Sequence, residues 1–323
     1  MSPYLQQLTL RLAAGVLHLP EAVREVHADF IRSRQRSDGG FPGREGDSDL
    51  YYTGFALRSL FLLGELSGPV ADRAAEFLRS GWQPKQNVLD LLSLVYGATL
   101  LEWSAGLDVY GSPDPPWQDA IAHALHQLRR DDGGFAKTPE GGASSTYHSF
   151  LVALCLQLLG RPLPRPERLV EFIRSQQCEG GGFRDIRAAK RAGTNPTAAA
   201  IGVLKLLDAL DHAVAHDTID FLSDMQSPEG GLLANTRIPV ADLLSTFTGV
   251  VTLSDLGGLK AIDTSAAWRF ARSLERPQGG FRGAVWDPDA DVEYTFYGLG
   301  CLALLGPQAA APGSPLADGS RRR

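Results

Sequence analysis

FIRSQQCEGGGF, residues 172–183, is the stretch on which the fold turns, because the chain writes it again and again. An amphipathic run ends in Ser-Gln-Gln, an acid leads into glycines, and a phenylalanine follows. Double glycines stand at Gly39-Gly40, Gly133-Gly134, Gly181-Gly182, Gly230-Gly231 and Gly279-Gly280. The successive gaps are 94, 48, 49 and 49 residues, and the first is twice 47. Nine residues ahead of the pairs stand Phe30, Ala124, Phe172, Phe221 and Phe270, and Phe77 in FLRSGW marks a copy that has lost its glycines. A fixed period of this length is the signature of a stacked supersecondary unit.

Each unit has one internal order. An amphipathic helix with an arginine-rich stripe runs into the glycine turn, whose following Phe or Leu plugs the core. A polar loop comes next, and then a nearly all-apolar helix such as YYTGFALRSLFLLG (51–64) or EYTFYGLGCLALLG (293–306). A helix apolar all round is buried on every side, whereas one with a polar stripe faces water. Six such hairpins predict an all-α chain, an α/α toroid with an outer ring around an inner one. Stacking alone also allows an open solenoid, but the absence of a polar cap repeat favours closure. The expectation is one toroid domain over 1–306, with hairpins starting near 20, 67, 114, 162, 211 and 260. The segment 307–323, PQAAAPGSPLADGSRRR, reads as a disordered tail.

Composition narrows the function. With 44% hydrophobic and 21% charged residues the chain can build a sizeable core. A net charge of -6 without a basic stripe argues against nucleic acid as a partner. No unbroken apolar run of membrane-crossing length is present, so no transmembrane segment is expected. The N-terminal stretch is amphipathic, carries Arg11 inside its apolar part and reads as a first helix that stays. Cys155, Cys178 and Cys301 are widely spaced, as reduced thiols of a cytoplasmic protein are.

The inner helices carry the candidate chemistry. Tyr51, Tyr52, Phe55, Tyr96, Tyr147, Phe150, Phe247, Tyr294, Phe296 and Tyr297 would converge on a central cavity suited to a long hydrocarbon, or else simply fill the ring as core. Acids gather where inner helices begin: Asp47, Asp49, Asp90, Asp242, Asp289, Asp291 and Glu293. Helix capping explains single acids there. Three at spacing two, Asp289, Asp291 and Glu293, exceed that need and could hold Mg²⁺ with a diphosphate, or a proton for acid catalysis. His148 opens an inner helix and could reach the cavity mouth. His212 and His216 have the spacing of metal ligands, but a polar connector around them favours plain solvation. No nucleotide-type glycine loop or serine elbow is present.

The segments QRSDGGFPG, RRDDGGFAK, SQQCEGGGF, SPEGGLL and RPQGGFRG, each followed by an apolar helix, resemble the repeats of protein prenyltransferase β subunits and of squalene and terpene cyclases. The resemblance spans roughly residues 20–306, and the length and short loops look most like the Rab-type geranylgeranyltransferase β subunit. It implies a toroid that binds isoprenoids. In the protein-transferring members an Asp, a Cys and a His hold zinc. Asp242 matches that Asp, but Leu244 and Tyr294 occupy the positions of the other two, so zinc is not expected. The family's diphosphate-binding Lys and Arg fall on Pro239 and Thr236, with Arg237 one residue away. The resemblance therefore implies a divergent enzyme acting on a prenyl diphosphate or polyprenyl chain, a zinc-independent prenyl transferase or a small cyclase. Asp289, Asp291 and Glu293, or Asp47 and Asp49, would handle Mg²⁺-diphosphate or a proton. Tyr51, Tyr52, Phe55, Tyr96, Tyr147, His148, Phe247, Tyr294, Tyr297 and Arg237 would bind the substrate. The alternatives are a zinc-dependent β-like subunit, and a non-catalytic lipid- or protein-binding toroid. A helical protein partner or self-association is compatible with each.

Overall fold

A computed structural model describes residues 3–83, 86–111 and 117–306; the tail at 307–323 lies outside the described residues. Six helices with one buried stripe form an outer layer: α2 (Glu21–Ser33), α4 (Gly68–Ser80), α6 (Trp117–His126), α8 (Pro166–Ser175), α10 (His212–Asp224) and α12 (Thr264–Ser273). In α8 the stripe is Leu169, Phe172 and Ile173, the i, i+3, i+4 spacing of a helix against a core. Between them run the apolar helices α3 (Leu50–Leu63), α5 (Val88–Ala105), α7 (Thr146–Leu158), α9 (Thr194–Leu206), α11 (Leu243–Asp255) and α13 (Val292–Leu305). Each packs on the next, and α13 packs on α3. The ring is closed, and the fold is an all-α toroid.

By length and composition α5 would cross a bilayer, yet it stands in the inner ring between α3 and α7. His212 and His216 begin outer helix α10 rather than a connector, and His216 faces Asp220 at 3.3 Å on an exposed surface.

The glycine pair is a two-part joint between neighbours. The first glycine takes a left-handed backbone where the next outer helix passes too close for a side chain. Gly181 has φ 89°, and a Cβ there would lie 2.2 Å from the carbonyl oxygen of Asp217 in α10. Gly279 repeats this at φ 87° against Val26 of α2, so the last turn locks onto the first outer helix. The second glycine seats an aromatic ring: Phe77 on Gly40, Phe172 on Gly134, Phe221 on Gly182, Phe270 on Gly231 and Phe30 on Gly280. The two irregularities of the sequence ladder are thus one event. The copy without glycines precedes the outer helix that carries Ala124 in place of Phe.

A third part of the joint is a hydroxyl. The N–H groups of Phe41, Phe135, Phe183, Leu232 and Phe281, all fully buried, donate to the Oγ atoms of Thr53, Ser149, Thr197, Thr246 and Thr295. Those hydroxyls stand four residues after the N-cap of their inner helix, and each rescues an N–H that burial would orphan. In α5 the same position is Leu91, in the copy that also lacks the glycine turn.

Ring closure adds a charged clip. Arg44, before α3, forks onto Asp287 at 2.8 and 2.5 Å and reaches Asp291 at 2.9 Å, joining the first repeat to the last. Asp291 ends a short antiparallel ribbon of β1 (Phe281–Arg282) and β2 (Ala290–Asp291). His27 of α2, fully buried, accepts the Gly280 N–H at 3.0 Å across the same seam.

The helix α1 (Tyr4–Val16) belongs to neither layer. It packs on α13, α3 and α7, at the end where the inner helices finish. The Tyr4 hydroxyl donates to Asp255, the last residue of α11, at 2.7 Å, and Arg11 pairs with the same carboxylate at 2.9 Å. Close packing of Gly15 on Ala303 fixes its other end. The bore of the toroid therefore has a floor.

Candidate functional site

The bore holds a chamber of about 160 Å³. Its walls include Phe55, Tyr96, Tyr147, Phe247, Phe296 and Tyr297 from the inner ring, and Leu5, Leu8, Thr9 and Leu12 of α1 form the floor. Thr9 and Tyr96 share a buried hydrogen bond through their hydroxyls. The rings interlock edge to face: Phe55 meets Tyr297 at 5.3 Å and Phe247 meets Phe296 at 5.4 Å between centroids.

One carboxyl stands over this chamber. Glu293 is in the first turn of α13, one turn above Tyr297. Its Oε1 accepts from the Tyr51 hydroxyl at 2.7 Å and from the Tyr297 hydroxyl at 3.1 Å. Burial raises its pKa above the ordinary glutamate value, against the opposing pull of the tyrosine hydrogen bonds and of Arg58. The tyrosines respond in kind: burial and the neighbouring Glu293 push the Tyr51 and Tyr297 hydroxyls upward, so both stay donors. Tyr147, at the wall, is pushed up to about 12 by burial.

The structure separates the acid trio. Asp291 caps α13 through the Tyr294 N–H at 2.8 Å and gives its other oxygen to Arg44. Asp289 is exposed, its N–H bonded to Asp287 at 3.2 Å. Only Glu293 turns to the bore, because residues two apart on a helix point about 200° apart. Asp49 caps α3 through Tyr52 N–H at 2.7 Å, and Asp47 is exposed on the loop. Burial would raise Asp287 as it raises Asp291, but the hydrogen bonds and charge of Arg44 outweigh it there and hold Asp287 below the usual range.

No metal step follows from these residues. Among the described residues no three His, Cys, Asp or Glu side chains come together as metal ligands. Asp242 caps α11 and is bonded by the Ser245 N–H at 2.7 Å and its hydroxyl at 2.8 Å, while Leu244 and Tyr294 offer no ligand. The carboxylates expected to hold Mg²⁺ are divided between helix caps (Asp49, Asp291), exposed loops (Asp47, Asp289) and the bore (Glu293).

Of the expected substrate-binding residues, Phe55, Tyr96, Tyr147, Phe247 and Tyr297 line the chamber. Tyr51 stands above it, edge-on to Tyr52 and Phe55 at 5.2 and 5.0 Å. Tyr294 packs instead over Gly283 beneath Arg44, and His148 neighbours Tyr147 without lining the chamber. Arg237 is exposed on the loop before α11. The preceding loop carries Arg187, Lys190 and Arg191, all exposed; Arg191 donates to Thr236 at 3.1 Å, while Arg187 lies 3.9 Å from Asp132. The start of α11 in turn adjoins the acidic loop before α13, where the Leu243 N–H donates to the Gly283 carbonyl at 2.8 Å. Sequence reasoning passed over Arg44, Asp287 and Arg58. The last carried a visible signal, as the one charge within the apolar helix LYYTGFALRSLFLL.

The chain matches the family model of the prenyltransferase alpha-alpha toroid domain over residues 6–93, 115–165 and 154–318. No match is found among curated protein sequences. A Candida albicans protein geranylgeranyltransferase-I complexed with GGPP superposes with a TM-score of 0.66 at 17% identity, covering 87% of this chain and 90% of that one. A type II terpene cyclase from Scytonema, in complex with geranylgeranyl dihydroxybenzoate, gives 0.60 at 13% identity over 93% and 99%. A GH76A alpha-1,6-mannanase from Salegentibacter gives 0.58 at 14% identity over 88% and 99%. At such identities the likeness speaks for the fold alone. The family match covers most of the chain, and the protein belongs to the prenyltransferase alpha-alpha toroid family.

Proposed function

We propose that this toroid-family protein binds an isoprenoid in its bore and isomerises it by proton transfer from Glu293. The observation that carries the reading is the seating of Glu293: a buried carboxyl, favoured in its neutral form, held by two tyrosine hydroxyls directly above an aromatic chamber. Both tyrosines donate to Oε1, which leaves Oε2 to carry the acidic proton. Delivery of that proton to a chain-terminal alkene forms a C–H bond with the alkene's electron pair and leaves a tertiary cation. A second alkene of the same chain then closes a C–C bond. Loss of a proton to the Glu293 carboxylate or to water ends the sequence, so the product is an isomer of the substrate. Phe247, Phe296 and Tyr297 offer π faces to the cation. No zinc or other metal enters this route.

A second reading is prenyl transfer, favoured by the basic rim of Arg187, Lys190, Arg191 and Arg237, which suits a diphosphate. The free thiols Cys155, Cys178 and Cys301 accord with action in a reducing cytoplasm.

The two readings part in one experiment. Geranyl, farnesyl and geranylgeranyl diphosphates are incubated with the protein in D₂O, and products and free pyrophosphate are measured. The expected result is an isomer carrying one new deuterium, with the diphosphate retained. Pyrophosphate release with no isomerisation would move the assignment to prenyl transfer. No turnover and no binding of any of the three would overturn the isoprenoid reading.

A further inference from the structure

Arg58 lies deeper in the bore than any other charge described there, two turns of α3 below Tyr51. It lines the chamber, its guanidinium carbon 4.7 Å from the centroid of Phe55, 4.9 Å from Tyr96 and 5.9 Å from Phe296. Among the described residues the guanidinium has no hydrogen bond and no ion pair, its buried Nε included. Glu293, by contrast, is held by two tyrosines and Tyr96 by Thr9. Stacking on aromatic faces compensates a guanidinium in part, but its five N–H donors are made for oxygen acceptors. Glu293 feels this charge but lies beyond ion-pair distance, so the guanidinium on the wall of a ligand-sized apolar chamber is half of an ion pair.

We infer that Arg58 is an anion-binding residue, and that the chamber takes a compact isoprenoid acid head first, with its carboxylate or phosphate on Arg58. This rests on the isoprenoid reading for the body of the ligand and adds its charge, orientation and size. The chamber, at about 160 Å³, is close to the volume that accepts a benzene-sized group. It is far too small for a folded geranylgeranyl chain while α1 forms its floor. Seven residues of helix separate the levels of Tyr51 and Arg58, on the order of 10 Å. A ligand whose anion sits on Arg58 therefore presents the far end of a short chain to Glu293. The orientation also resolves a conflict in the proposed chemistry. A bare guanidinium among the π faces would oppose a carbocation, whereas one neutralised by the ligand's own anion does not.

The test is calorimetric titration of the full chain with geranyl phosphate, geraniol and benzoate, in wild type, Arg58→Gln, Arg58→Met and Arg58→Lys. Wild type is expected to bind geranyl phosphate at least about tenfold more tightly than geraniol, the scale of a charge-assisted pair. Arg58→Gln should erase that difference without changing geraniol affinity, and Arg58→Lys should keep part of it. Removing a cation that has no acid partner orphans nothing, so these variants are expected to melt at or above the wild-type temperature; Arg58→Met serves if Arg58→Gln does not fold. The proposal is overturned if wild type shows no preference for the anion. It is equally overturned if the preference survives in Arg58→Gln, which would put the anion on the basic rim. Arg58-dependent binding of benzoate without binding of either prenyl compound would support the anion site and remove the isoprenoid reading.

Discussion

The joint layer and the bore occupy the same six hairpins but follow opposite rules. In the joints, equivalent positions carry equivalent residues: the glycines at 39, 133, 181, 230 and 279, the seated phenylalanines, the hydroxyls four residues past five of the six inner-helix caps. Nine residues past the cap the inner helices read Arg58, Tyr96 and Leu154, which line the chamber, and Gly202, Val251 and Gly300, of which the two glycines seat Phe150 and Phe247. The joints solve one packing problem repeatedly, so symmetry persists there. The isoprenoid proposed for the bore has no sixfold symmetry, and the residues there differ from repeat to repeat. Departure from the repeat is thus a pointer to function in the bore. In the joints it is a pointer to compensation, as with Ala124 and Leu91 around the copy that lost its glycines.

That contrast predicts a double dissociation between stability and activity. The largest effect belongs to Gly181→Val, which places a β-branched residue at positive φ and a Cβ against the Asp217 carbonyl. A loss of about 3–6 kcal/mol in urea unfolding is expected; a loss under about 1 kcal/mol would break the joint account. Next is Glu293→Gln in the bore. Turnover of the prenyl substrate should fall about 100-fold with binding preserved and the melting temperature at neutral pH unchanged or higher. Equal loss of binding and turnover would make Glu293 a binding group only. Third is Thr197→Val, which leaves the buried Phe183 N–H without its acceptor at 2.8 Å. It should cost about 1–3 kcal/mol in the same unfolding assay, with turnover per folded molecule unaltered.

The smallest effect is a pH dependence. Burial raises Glu293 above its reference value of 4.5, so ionising it costs more in the folded than in the unfolded chain. Its contribution to stability is whole below that value and is lost as pH rises through the raised pKa. Thermal melts of wild type and Glu293→Gln should converge at low pH and separate toward neutrality, with wild type the lower. Parallel curves would mean that Glu293 ionises without hindrance.

How much of the site was legible follows from the kind of signal each residue leaves. Phe55, Tyr96, Tyr147, Phe247 and Tyr297 were readable because an aromatic on a helix buried on all sides of a ring must face either a neighbour or the bore. The acid cluster at 289–293 was visible as a cluster, but its meaning was not. Arg44, which claims Asp291, lies 247 residues away on the opposite side of the closure seam. Asp287 was hidden for the same reason. The floor was hidden too, since nothing in the amphipathic pattern of α1 says that its apolar face enters the bore rather than the outer layer.

By itself the sequence determined the hairpin, its number and the order of polar and apolar helices. Glycine geometry and hydrophobic periodicity are local, and a period near 48 residues repeats them often enough to exclude chance. Only the tertiary structure decided that Glu293 and not Asp289 or Asp291 faces the chamber, that Arg58 stands there unpaired, and that α1 limits the space. Those facts depend on which helix ends meet when the ring closes, and contacts between the first and last repeats leave no trace in any local pattern.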